Sequence, residues 1–493
     1  MKAVNRGKRL PSIHSNAKAR SVARAFNERN NVVSVALTFL RRRTSAIRTS
    51  LSDRSDRSRA QRFAGTAFLI RAASGAMALP FQVLLARWMG AHEFGIYVYV
   101  WTWVLLIGSF IDFGFETSAQ RFIPAYAATK KFEFLRGFIR GSRWLVLGFA
   151  TMIAALSAIA IKTLQPWIGE ATVLPLYLAC LVLPLYGLAL AQGGIARSYD
   201  WTSLALMPSY IIRQIVIVAL VALAYFAGLV ADAVTAMAAS LVAVWATSIG
   251  QSLILRRKLA NKVTPGPAAY DFKDWLKISL PIFMVGGFFF LLTYVDVLVL
   301  QAYRPPQEVA IYFAATKVLA LVGFIYYSVA AAAAHNFTRL HVAGDRRQLA
   351  AFFTDSVRWT FWPSLALTGA VLLLGKPILY LFGAVFTEGY PLLFILSIGI
   401  LARAAVGPAD RLLNMLGEQK ICALVYVGVF ALNFLGCLAL IPSLGITGAA
   451  ISTSTALIVE SITLFLIVSR RLGMHPLAKG LGMIRSEAAA MQR

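Results

Sequence analysis

The sequence predicts an all-α integral membrane protein: about 12 transmembrane helices in two parallel six-helix lobes around a central cleft. Three features carry this reading: an apolar composition, a series of long apolar runs, and a repeat that relates the two halves. Of 493 residues, 59% are hydrophobic and 14% charged, with a mean hydropathy of +0.69. A soluble domain carries about 25% charged residues, so this chain is too charge-poor to fold in water. A hydrocarbon core of about 30 Å takes about 20 helical residues to cross, and the helix satisfies its own backbone where no water can.

Twelve runs of that length fall at 63–86, 94–117, 144–162, 172–195, 204–227, 233–255, 276–300, 309–334, 357–381, 390–413, 421–441 and 445–469. Moved 215 places along the chain without a gap, Glu93, Ile96 and Tyr97 fall on Glu308, Ile311 and Tyr312, and Arg143-Trp144 falls on Arg358-Trp359. The unbroken register marks an internal repeat. Six spans per repeat is an even number, so both halves enter the membrane from the same side and are parallel. The domains expected are a basic tail (1–62), a first six-helix lobe (63–255), a linker (256–275), a second lobe (276–470) and a C-terminal tail (471–493).

Taken in order, the tail to residue 62 is rich in Arg, Ser, Lys and Asn and is expected to be disordered. Its apolar patch at 32–40 is too short to span, and Arg41-Arg42-Arg43 follows it where a signal peptidase needs small residues. The first span carries Arg71 with Ala67, Ser74, Gly75 and Ala78 on the same face, a small and polar face suited to protein or water. After the second span, residues 130–144 alternate Phe132, Leu135, Phe138 and Ile139 with basic residues at helical spacing, which predicts an amphipathic helix in the membrane interface. Residues 345–359 are its counterpart. The third to sixth spans hold Pro175, Pro184, Pro208 and Arg213. The linker is the long polar break near the middle. In the second half Asp296, Lys317, Arg403 and Glu460 stand inside the seventh, eighth, tenth and twelfth spans.

The net charge of +27 is arranged by loop. Beyond the N-terminal tail, one set of loops and the C-terminal tail hold 24 Lys and Arg, and the alternate loops hold 4. This positive-inside pattern places both termini in the cytoplasm and the protein in the cytoplasmic membrane. The charge then reports topology and attraction to anionic lipid, and no nucleic-acid partner is implied.

Arg71, Arg213, Lys317 and Arg403 are the deep cations, each costing about 2.5 to 3.5 kcal/mol at mid-bilayer unless a partner or water meets it. The repeat does not duplicate them: Arg71 is matched by Gly286 and Lys317 by Thr102. Asp296, Glu460 and Asp112 are the matching acids, either partners of these cations or carriers of a coupling ion. A cleft with more basic than acidic groups suits an anionic ligand such as a diphosphate. No Walker A, Gly-x-Ser-x-Gly, His-Glu-x-x-His or Rossmann pattern is present, so neither enzyme nor cofactor is implied. Cys180, Cys422 and Cys437 lie inside spans and lack metal spacing.

LLARWMGAHEFGIYVYV, followed by a span, a glycine and RFIPAY, resembles the polysaccharide transporter branch of the multidrug, oligosaccharidyl-lipid and polysaccharide exporter (MOP) superfamily, the Wzx-type flippases. LGITGAAISTSTALIVES and LLNMLGEQKICAL resemble the second half of the same family, and the likeness covers 63–470. The resemblance implies a MATE-like fold and translocation of a polyprenyl-pyrophosphate-linked oligosaccharide by alternating access, for capsule, exopolysaccharide or O-antigen synthesis. It implies membrane lipids, a coupling proton or sodium ion and other polysaccharide-assembly membrane proteins as partners. No site residue is carried over from it. Three alternatives stand beside it. A lipid II flippase carries two further spans, a multidrug or ion antiporter an acid-lined cleft, and a membrane-embedded glycan polymerase or acyltransferase a large catalytic loop.

Overall fold

A computed structural model describes residues 56–472. The expectations for residues 1–55 and 473–493 lie outside the described residues. Every regular element described is helical: α1 Asp56–Ile111, α2 Phe115–Ala128, α3 Phe132–Leu164, α4 Glu170–Ser198, α5 Thr202–Met207, α6 Arg213–Phe226, α7 Ala233–Ala260, α8 Phe272–Tyr303, α9 Pro306–Val342, α10 Arg346–Phe382, α11 Tyr390–Val406, α12 Ala409–Met415, α13 Gln419–Leu444 and α14 Ile446–Leu472. Ten helical runs among the described residues are long and apolar enough to cross a membrane. One of them holds two crossings, because α1 turns sharply at Gly90 (φ 78°, ψ 168°). Helix α8 adds another, since 32 residues at about 1.5 Å each exceed the bilayer core. By length and composition the described residues therefore hold twelve crossings, as the apolar runs predict.

The repeat register survives in three dimensions. Residue 132, which opens α3, shifted by 215 falls beside Arg346, which opens α10; residue 233, which opens α7, falls beside Ile446, which opens α14. Gly90 corresponds to Pro305, so the same corner is turned by a glycine with positive φ in one half and by a proline in the other. Side-chain pairing follows suit. Tyr97 on the second span meets Ser240 on α7, and Tyr312 on α9 meets Thr453 on α14, each at 3.2 Å.

Two stretches differ from the sequence expectation. Residues 132–143 do not form a separate interfacial helix but run straight into the third span as α3, and 346–358 do the same in α10. The reason in the first case is what their apolar side meets. Phe138 packs its ring on Trp275 at 5.2 Å, and Arg136 donates to the linker carbonyls of Pro267 (2.7 Å) and Thr264 (3.2 Å). The linker is correspondingly short, with no helix between Ala260 and Phe272, and is strapped to the start of α3.

Packing runs mainly within each half, α4 against α3 and α7 in the first, α13 and α14 against each other and against α8 and α11 in the second. The outer faces stay apolar: Leu223 is 67% exposed and Leu373 81%, positions that lipid tails cover. The halves touch tightly at the end away from the linker. A Cβ on Gly95 would stand 1.8 Å from the Pro306 carbonyl oxygen, so only glycine permits this approach. Phe94 is fully buried there between Phe313 and Phe386 at ring distances of 6.1 and 6.2 Å. Arg87 donates to the carbonyls of Leu381 (2.6 Å) and Tyr380 (2.8 Å) in the last turn of α10, the second of which also accepts from the Gly383 N–H at 3.1 Å.

Candidate functional site: a cationic cavity between the halves

Behind that seal lies a cavity of about 570 Å³. The first limb of α1 lines it with Ala72, Gly75, Ala76 and Ala78, side chains too small to fill the space against Leu321 and Phe324 of α9. Lys317, one turn beyond Phe313, projects into it, and its Nζ lies 4.5 Å from the Phe313 ring centre. A second chamber of about 80 Å³ adjoins it, sharing Ala78, Gln82 and Gln214. Its wall holds Arg213, which opens α6 directly after a π-helical turn, Pro208–Ile212, introduced at a proline. The Arg213 guanidinium sits 5.3 Å from the Tyr186 ring centre and 5.7 Å from that of Trp101, a cation held by π-faces.

Among the described residues no carboxylate lies within the 4.0 Å ion-pair distance of Arg213 or Lys317. The other expected site residues are placed differently. Arg71 is exposed, next to Ala72 of the cavity wall and within electrostatic reach of Arg197. Arg403 lines neither of these two chambers: its Nη2 lies 3.5 Å from Glu460 Oε1 and its guanidinium 4.6 Å from the Tyr326 ring centre. Tyr326 in turn donates to Asp410, which also accepts from Tyr426 at 3.3 Å. Asp296 is buried in the second half, accepting from Tyr312 (2.5 Å), Thr453 (3.3 Å) and the Val297 N–H (2.8 Å). Asp112 accepts from the Glu116 N–H at 3.0 and 3.1 Å and so caps the start of α2.

The family model for polysaccharide biosynthesis proteins matches residues 63–339, more than half the chain and all the elements of both chambers named above. This chain belongs to the polysaccharide biosynthesis protein family. Its fold is that of the MOP superfamily. An inward-facing multidrug resistance MATE transporter aligns at TM-score 0.68 with 15% identity, covering 82% of this chain and 98% of that one. The lipid II flippase MurJ, in an inward closed conformation, aligns at 0.65 with 17% identity, covering 82% and 87%. A MOP superfamily transporter from Pyrococcus furiosus, reported to have a binding pocket of reverse polarity, aligns at 0.60 with 15% identity, covering 83% and 95%. No curated protein matches by sequence. The protein is thus a multi-pass membrane protein of the polysaccharide biosynthesis family.

Sequence reasoning missed Gln82, Gln214 and the tyrosines. A signal for the glutamines was available, since each is an uncharged polar group in an otherwise apolar span and Gln214 directly follows Arg213. The acid partners were not readable: Arg197 is paired with Glu116 of α2, and that contact exists only once α2 and α4 pack.

Proposed function

We propose that this family member carries a polyprenyl-diphosphate-linked oligosaccharide from the cytoplasmic to the outer leaflet of the cytoplasmic membrane, with both termini cytoplasmic, for exopolysaccharide, capsule or O-antigen synthesis. The observation that carries this reading is the pair Arg213, facing a small chamber inside the first half, and Lys317, facing the adjoining cavity between the halves, with no described carboxylate in ion-pair range of either. A cation kept at this depth costs about 2.5 to 3.5 kcal/mol, and a diphosphate compensates for it. Arg213 offers a planar fork for phosphate oxygens and Lys317 a point charge. Arg71, beside the cavity wall, meets the headgroup as it enters. The apolar tail stays in lipid while the halves rock about the cavity. Asp296 is the carboxylate assigned to a coupling proton or sodium ion, because it is buried and two hydroxyls, of Tyr312 and Thr453, converge on its oxygens. Family membership supports a glycan, and the basic cavity disfavours the cationic cargo that an acid-lined exporter would take.

The test is binding of bare polyprenyl diphosphate by protein in lipid nanodiscs. Losing one charge-assisted contact, about 1.5 to 3 kcal/mol, should weaken binding about 10- to 100-fold in Arg213→Ala and in Lys317→Ala. Lys376→Ala, near the end of α10 and lining neither chamber, should bind as the unaltered protein does. Full affinity in both cavity variants would remove the reading.

A further inference from the structure

Three residues that line the small chamber each hold a buried polar atom without a protein partner: Gln82 Oε1, Gln214 Oε1 and Arg213 Nε. A buried polar atom left unpaired costs about 1 to 3 kcal/mol, which this structure incurs three times in one place. The diphosphate explains Arg213 but not the glutamines. Their carbonyl oxygens accept hydrogen bonds, and a phosphate offers mainly acceptors of its own. Turning either amide by 180° exchanges acceptor for donor and still presents one of each. The ligand that matches paired amides is one bearing hydroxyls or an amide N–H. Beside them Tyr97 and Trp101 are stacked on each other at 6.3 Å with 17° between planes and form the chamber's aromatic side.

We infer that Gln82 and Gln214 form a subsite for the sugar directly attached to the diphosphate, reading its hydroxyl or acylamino groups and so selecting which lipid-linked glycan is accepted. This rests on the diphosphate reading above and adds to it a specificity determinant. The glutamines line both chambers, so a sugar there lies between the two cations and adjoins the diphosphate they hold. At about 80 Å³ the small chamber takes the polar edge of one sugar, and the rest of the chain occupies the cavity of about 570 Å³. Gln82 lies on α1 and Gln214 on α6, so the sugar is held by the first half, whereas Lys317 touches the diphosphate from the second.

The experiment compares bare polyprenyl diphosphate with the same lipid carrying one hexose, one N-acetylhexosamine or one hexuronate, all in nanodiscs. The readout is the ratio of glycolipid affinity to bare-lipid affinity. The unaltered protein should favour at least one glycolipid about tenfold, the worth of two ordinary hydrogen bonds, and the ratio should fall to about threefold in Gln82→Leu and in Gln214→Leu and to about one in the double variant. A ratio of one for all three glycolipids in the unaltered protein would overturn the subsite while leaving the diphosphate reading intact. A ratio preserved in both variants would do the same, whether or not both affinities fell together. Failure of bare lipid to bind the unaltered protein would remove the diphosphate reading itself and the subsite with it.

Discussion

Arg403 and Lys317 lie on packed helices of the second half, α11 and α9, yet their surroundings differ in kind. Arg403 faces Glu460, which is only 1% exposed, whereas Lys317 faces a phenylalanine ring and open space. The first is an internal ion pair; the second has Asp296 within electrostatic reach but no carboxylate in contact, and is the group proposed to meet an anion. Arg403→Met should therefore destabilise the fold by about 3 to 5 kcal/mol, because a buried carboxylate is left alone, and adding Glu460→Leu should restore most of that loss. Thermal unfolding in detergent reads both outcomes. Asp296→Asn keeps one carbonyl acceptor for the Tyr312 hydroxyl but removes the charge. Transport by that variant should lose its dependence on a proton or sodium gradient, and retained dependence would take coupling away from Asp296. The depth of these charges was legible in the sequence because span placement gives it directly. Their partners were not, since each acid reaches its cation across a helix–helix contact.

At the scale of elements, the seal away from the linker depends on how closely α1 approaches α9. Gly95 sits where any Cβ would enter the Pro306 carbonyl, and backbone cannot step aside as a flexible side chain can. Gly95→Ala should cost the sealed arrangement about 1 to 3 kcal/mol. A cysteine placed at Phe313 should accordingly react faster with a membrane-impermeant thiol reagent from that side than it does with Gly95 in place, and equal rates would show that the seal does not rest on this approach. The kink at Gly90 and the continuity of α3 show where reading elements from sequence stops. Apolar run length fixes the number of crossings. Whether a basic amphipathic stretch lies on lipid or packs on protein depends on a distant partner, here Trp275 and the linker carbonyls that hold Arg136.

The whole molecule is one design used twice with its polar groups placed differently. Tyr97 and Tyr312 are equivalent in the repeat, but the first borders the small chamber and the second bonds Asp296 inside the second half. A symmetric scaffold thus acquires an asymmetric interior, with amides and Arg213 on one side and Lys317 on the other. Arg87 adds a clamp across the halves by bonding the Tyr380 and Leu381 carbonyls in the last turn of α10. The scaffold was readable because a constant register links the two halves. The cavity was not, because it is defined by what small side chains leave unfilled. The central claim is that Arg213 and Lys317 hold a diphosphate while the halves exchange access. It is tested most directly by leaflet exchange of a fluorescent polyprenyl-diphosphate oligosaccharide in proteoliposomes. The unaltered protein should move the lipid with its covalent structure unchanged, and the Arg213→Ala/Lys317→Ala double variant should do so at least about tenfold more slowly. Equal exchange by both proteins, or a chemically altered glycan, would contradict the account.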